Sequence, residues 1–93
     1  MERYSLIIEN QAKKQLADLY KSGDQSSVKK IEKIFEELEI HPTTGSGNPK
    51  QLKHNLSEFW SRRINKKDRL IYAIDDEKVI VLVVSAKGHY FDK

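Results

Sequence analysis

The sequence predicts an α+β fold in which an antiparallel sheet carries a helical hairpin on one face, with elements in the order β-α-α-β-β-β. Three features point to it. Two apolar stripes at helical spacing follow one another in the first half, three β-rich runs parted by tight polar turns fill the second, and a short apolar run opens the chain. At 93 residues there is material for one thin core, so residues 1–93 are read as a single domain.

Tyr4 to Glu9 reads as the first strand, β-branched and apolar. Asn10 is a good helix N-cap, because its side chain accepts an unpaired N–H of the first turn. Ala12, Leu16, Leu19 and Tyr20 then repeat at helical spacing, and Gly23 ends that helix in the left-handed conformation it takes without steric cost. Asp24 to Ser27 offers caps for a second helix. Its apolar stripe is Val28, Ile31, Ile34, Phe35 and Leu38; Lys29, Lys30, Lys33, Glu36 and Glu37 face away from it. The short loop between the two favours an antiparallel helical pair, and Pro42 stops the second helix. Residues 43–49 have loop chemistry throughout and serve as a connector. Phe59 to Ile64 and Arg69 to Ile74 read as a hairpin about the turn Asn65-Lys66-Lys67-Asp68. Lys78 to Ser85, apolar without alternation, reads as a central strand. The first strand adds to the edge of this meander, the helices cover one face, and the other face stays open.

The chain has no cysteine, which removes disulfides, thiolate nucleophiles and cysteine-based zinc sites together. No pair of histidines stands at helical ligand spacing, so neither a metal nor a cofactor is expected. The start shows no signal peptide, and the longest apolar run, Val79 to Val84, is too short to span a bilayer; a cytoplasmic protein with no membrane partner is the expectation. Net charge is +3, unevenly spread. Residues 43–73 hold seven basic and two acidic residues, hence +5, while the rest holds ten and twelve, hence −2. A basic block on a slightly acidic chain suggests a polyanion partner.

That block has an internal arrangement. If residues 63 and 69 pair across the hairpin, Arg63 and Arg69 project from one face, because side chains alternate with period 2. Two like charges set opposite each other repel, which a sheet tolerates more readily when an anion lies between them. Lys50 and Lys53, just upstream, can add phosphate contacts, as can Arg62, Lys66 and Lys67. His89-Tyr90 follows the last strand: histidine can act as general acid or base near neutral pH, and tyrosine can stack on a base. Phe59 and Trp60 are adjacent on a strand and so face opposite sides.

Three stretches carry a family signature: Gly47-Asn48-Pro49-Lys50-Gln51-Leu52-Lys53-His54-Asn55-Leu56-Ser57-Glu58-Phe59-Trp60-Ser61-Arg62-Arg63-Ile64, then Asp68-Arg69-Leu70-Ile71-Tyr72-Ala73, then His89-Tyr90. Together they resemble the Txe/YoeB toxins of toxin–antitoxin systems. The resemblance implies the RelE-like fold. It implies a metal-independent endoribonuclease that enters the ribosomal A site and cleaves messenger RNA by attack of a ribose 2′-hydroxyl. As partners it implies the ribosome with its message, a YefM/Axe-like antitoxin with an acidic, partly disordered tail, and, since such toxins are often dimeric, a second copy of the chain.

By position, the family's phosphate-binding lysine falls on Lys53, its two active-site arginines on Arg63 and Arg69, and its terminal pair on His89 and Tyr90. Where better-known members carry a glutamate, proposed as general base, this chain has Lys50, so the base is Lys50 or Lys53. The chain also runs past Tyr90 with Phe91-Asp92-Lys93, where many relatives stop. Two rival readings stand beside the nuclease. A protein-targeting toxin on the same fold, as in the gyrase-poisoning ParE group, would need neither the His-Tyr pair nor the lysine–arginine cluster. A catalytically impaired homologue that only binds its antitoxin and co-regulates their transcription is kept open by Lys50.

Overall fold

The computed structural model describes residues 3–53 and 57–86. Its elements are β1 (Ser5–Ile8), α1 (Asn10–Lys21), α2 (Gln25–Ile40), β2 (Lys50–Gln51), β3 (Phe59–Arg63), β4 (Arg69–Asp75) and β5 (Ile80–Ser85). The five strands form one sheet in the order β1-β5-β4-β3-β2. β3, β4 and β5 make the expected antiparallel meander, and β5 lies inside the sheet as its unbroken apolar run requires. Two features differ from expectation. The sheet is mixed, because β1 pairs with β5 in parallel, Leu6 opposite Val81 and Ile8 opposite Val83. The long passage through both helices allows either direction of return, so sequence pattern leaves it undetermined. A two-residue edge strand, β2, also pairs antiparallel with β3 and is too short to show any period.

The helix ends follow local chemistry. α1 starts after Glu9, whose side chain makes no cap bond; Asn10 is the first helical residue, one place inside its expected position. The Ser22 hydroxyl donates to the Leu19 carbonyl, and Gly23 follows at φ +83°. Asp24 caps α2 by accepting from the Ser27 amide (3.1 Å), the Ser27 hydroxyl (2.7 Å) and the Ser26 hydroxyl (2.9 Å). These three bonds, the Ser27 hydroxyl first, hold the Asp24 carboxyl below its ordinary range.

The core lies between the helices and one face of the sheet. Ala12, Leu16 and Leu19 of α1 and Ile31, Ile34 and Leu38 of α2 meet Leu70, Tyr72, Val81 and Val83. Burying each larger aliphatic side chain contributes on the order of 1.5–3 kcal/mol. Val28 and Phe35, expected in the α2 stripe, are half-buried at its margin. At the far end of β5 the Gln15 amide oxygen accepts from the Ala86 amide (2.8 Å) and the Ser85 hydroxyl (3.2 Å), fastening the point where the strand ends.

Candidate functional site

The β3–β4 turn sets the site. Asn65 accepts from the amides of Lys67 (2.9 Å) and Asp68 (2.8 Å), a local turn of the kind asparagine favours. Its amide nitrogen donates to the Ser27 hydroxyl (2.8 Å) and to Asp68 (3.0 Å), tying the turn to the start of α2. The turn thereby fixes the register, and Arg63 stands opposite Arg69.

The kind of pair matters. The Arg63 amide points away from β4 and donates to the Gly47 carbonyl at 2.7 Å, whereas the next residue, Ile64, donates to Asp68. Arg63 and Arg69 are therefore a non-hydrogen-bonded pair, the type in which facing side chains approach most closely. Arg63 is exposed and Arg69 half-buried. Among the described residues neither forms an ion pair with a carboxylate. Lys50 sits opposite Ser61, two residues from Arg63, so its side chain leaves the same face of the sheet.

The structure thus brings Lys50, Arg63 and Arg69 to one face. Lys53 is exposed two residues beyond β2. Lys66 and Lys67 are exposed at the tip of the turn. His89 and Tyr90, like His54, lie outside the described residues. Among the described residues no group of three metal-ligating side chains is assembled, and no helix is long and apolar enough to cross a membrane.

Arg62 requires a correction. It was expected to contact RNA, but its side chain has 0 % exposure and is turned toward Glu37 in the last part of α2. All five of its N–H groups are used internally. Nε donates to the Tyr72 hydroxyl (3.1 Å), Nη1 to Glu37 Oε1 (2.6 Å) and the Ser46 carbonyl (3.2 Å), and Nη2 to the carbonyls of His41 (3.1 Å) and Thr44 (2.8 Å). Alternation gives the reason: once Arg63 faces outward, its neighbour must face the helices. Glu37, expected to face away, is turned instead onto this guanidinium and also accepts from the Ser46 amide and hydroxyl. Burial acts to raise its carboxyl, but the bonds from Ser46 and Arg62 outweigh it and hold it below the ordinary value. Burial raises the Tyr72 phenol, which donates to the Pro42 carbonyl at 2.7 Å. No sequence motif marked Glu37, and Tyr72 stood within the family signature with no role assigned to it; period-2 alternation about Arg63 was the available signal for Arg62 alone.

A groove of about 470 Å³ opens on this covered side of the sheet, near the end of α2. Its half-buried Trp60 and Tyr4 and its carboxylates Glu58 and Asp76 give it a chemistry unlike the cationic face. The Tyr4 hydroxyl donates to Asp76 at 2.6 Å.

Residues 10–90 match the family model described as YoeB-like toxin of bacterial type II toxin–antitoxin system. The chain is 41 % identical to the toxin YoeB of Escherichia coli (strain K12) over 71 residues, which are 76 % of this chain and 82 % of that one. Among solved structures, the YoeB dimer from Staphylococcus aureus superposes with a TM-score of 0.77 at 32 % identity, covering 95 % of this chain and 99 % of that chain. The heterotetrameric YoeB–YefM toxin–antitoxin complex from the same organism gives 0.75 at 32 % identity, with the same coverage.

Proposed function

The chain belongs to the YoeB-like toxins of bacterial type II toxin–antitoxin systems, and on that premise we propose that it is an endoribonuclease that cleaves messenger RNA on the ribosome and so inhibits translation. The observation that carries the reading is the pair of arginines, Arg63 and Arg69, facing each other with Lys50 on the same side and, among the described residues, no carboxylate paired with either arginine. Such a face is built for an anion whose charge rises in the transition state.

The reaction is attack by the ribose 2′-hydroxyl on the adjacent phosphate. Lys50 or Lys53 takes the 2′-proton, and Arg63 and Arg69 stabilise the charge on the phosphoryl oxygens. The P–O5′ bond breaks, His89 protonates the leaving oxygen, and Tyr90 stacks on a base. The products are a 2′,3′-cyclic phosphate and a 5′-hydroxyl. The donors on this face are cations, so the chemistry proceeds without a metal ion. Lys66 and Lys67, at the turn tip, add phosphate contacts that position the message.

The site lies in the cytoplasm, where the ribosome is. The partner that neutralises it is an antitoxin of the YefM kind whose acidic segment covers the cationic face, and the toxin pairs with a second copy; solved YoeB relatives are a dimer and a complex with YefM. A second reading, a chain that only binds its antitoxin and co-regulates their transcription, rests on Lys50 standing where better-known members carry glutamate. Expression in growing cells separates the two. Rapid arrest of translation, abolished by Arg69→Ala in a folded variant, supports the nuclease; no arrest by the parent chain supports the regulator.

A further inference from the structure

We propose that Arg62 is a positioning residue: from inside the core it holds the 41–47 connector so that β2 brings Lys50 onto the arginine face. The inference rests on the nuclease reading for its consequence in rate.

The connector has almost no apolar anchor of its own. Pro42 is buried, but His41, Thr43, Thr44 and Gly45 are exposed. Besides the local bonds between His41 and Thr44, a single guanidinium collects the carbonyls of His41, Thr44 and Ser46, while the Tyr72 hydroxyl holds that of Pro42. Glu37 completes the hub by accepting from Ser46 and Arg62 together. Only a planar fork with five donors can satisfy so many acceptors at once, and a lysine cannot. The guanidinium carbon also lies 5.9 Å from the centroid of the Tyr72 ring, so the aromatic face limits its movement.

From this hub the connector is passed directly to the site. The carbonyl of Gly47 accepts from the amide of Arg63, the outward-facing neighbour of Arg62. A Cβ at Gly47 would come within 2.9 Å of the Arg63 carbonyl, and its φ is +82°, so the backbone approach needs glycine. Three residues later Lys50 pairs with Ser61. Adjacent arginines therefore divide the work: Arg63 faces the phosphate, and Arg62 fixes the strap that carries Lys50 to it.

The test uses variants that loosen the hub while the core persists, Tyr72→Phe and Ser46→Ala, with Ile34→Val as a core control adjusted by temperature to the same loss of stability. The readouts are exchange of the Arg63 and Leu52 amides, which pair the connector and β2 with β3, and single-turnover message cleavage against ribosome affinity. Both hub variants are expected to lose protection at these two amides and to cleave about tenfold more slowly, with affinity within about twofold, since small misplacements of a catalytic group cost that much or more. The control is expected to keep both protection and rate. Retained protection in the hub variants, an unchanged rate despite lost protection, or equal slowing by Ile34→Val overturns the proposal. Should the parent chain cleave no message, the nuclease reading falls and amide exchange alone decides the positioning of β2.

Discussion

Replacing Arg63 by glutamine is expected to stabilise the fold while it removes function. The two guanidinium groups lie on facing strands in the pair type with the closest side chains, and no described carboxylate neutralises them. Like charges in this position cost roughly 0.2–1 kcal/mol, and the exposure of Arg63 places the cost near the middle of that range, about 0.5 kcal/mol. For a domain of this size that is a gain of about 2–4 °C in melting temperature. The gain should be seen by circular dichroism at about 0.01 M salt, where the screening length is about 30 Å, and should vanish near 1 M, where it is about 3 Å. A single-stranded oligonucleotide should raise the melting temperature of the parent chain more than that of the variant, and the variant should cleave messages on the order of a hundredfold more slowly. A loss of stability at low salt, or a gain unchanged by salt, would refute the idea that these arginines are held in unrelieved repulsion.

Three further outcomes follow from other parts of the structure. Arg62→Met leaves Glu37 facing a buried gap and should destabilise the fold by about 3–5 kcal/mol in urea unfolding, far more than Arg63→Gln changes it in either direction. The Glu37 carboxyl is held below its ordinary 4.5, so its contribution is complete above that pH and is lost as pH falls through the lower folded value; the melting temperature of Glu37→Gln should therefore fall less steeply with acid below pH 4.5 than that of the parent. Val79, β-branched at φ +56°, carries strain that Asn tolerates, and Val79→Asn should raise stability by about 1 kcal/mol in the same urea assay.

What the sequence disclosed, and what it did not, follows from the range of each signal. The two helices and three main strands were legible because apolar period and turn chemistry are local, and the Arg63–Arg69 pairing was legible because a four-residue turn leaves little freedom of register. The direction of β1 was not, since a passage through helices of 12 and 16 residues allows a strand to return either way. β2 was not, since two residues have no period. Arg62 was misread because a basic run records charge and not direction; alternation from Arg63 would have turned it inward. Glu37 was misread for a related reason: helical spacing places it beside the apolar stripe, and only the folded connector supplies the amide, hydroxyl and guanidinium that draw it in.

The most direct test of the cationic face is to map the ends of messages on ribosomes exposed to the purified chain without added metal, beside Arg69→Ala and Lys50→Glu. Cuts within ribosome-bound messages that leave 5′-hydroxyl and cyclic or 3′-phosphate ends are expected, reduced about a hundredfold in the folded Arg69→Ala variant. Normal cleavage by Arg69→Ala, or products with 5′-phosphate ends, would contradict that expectation.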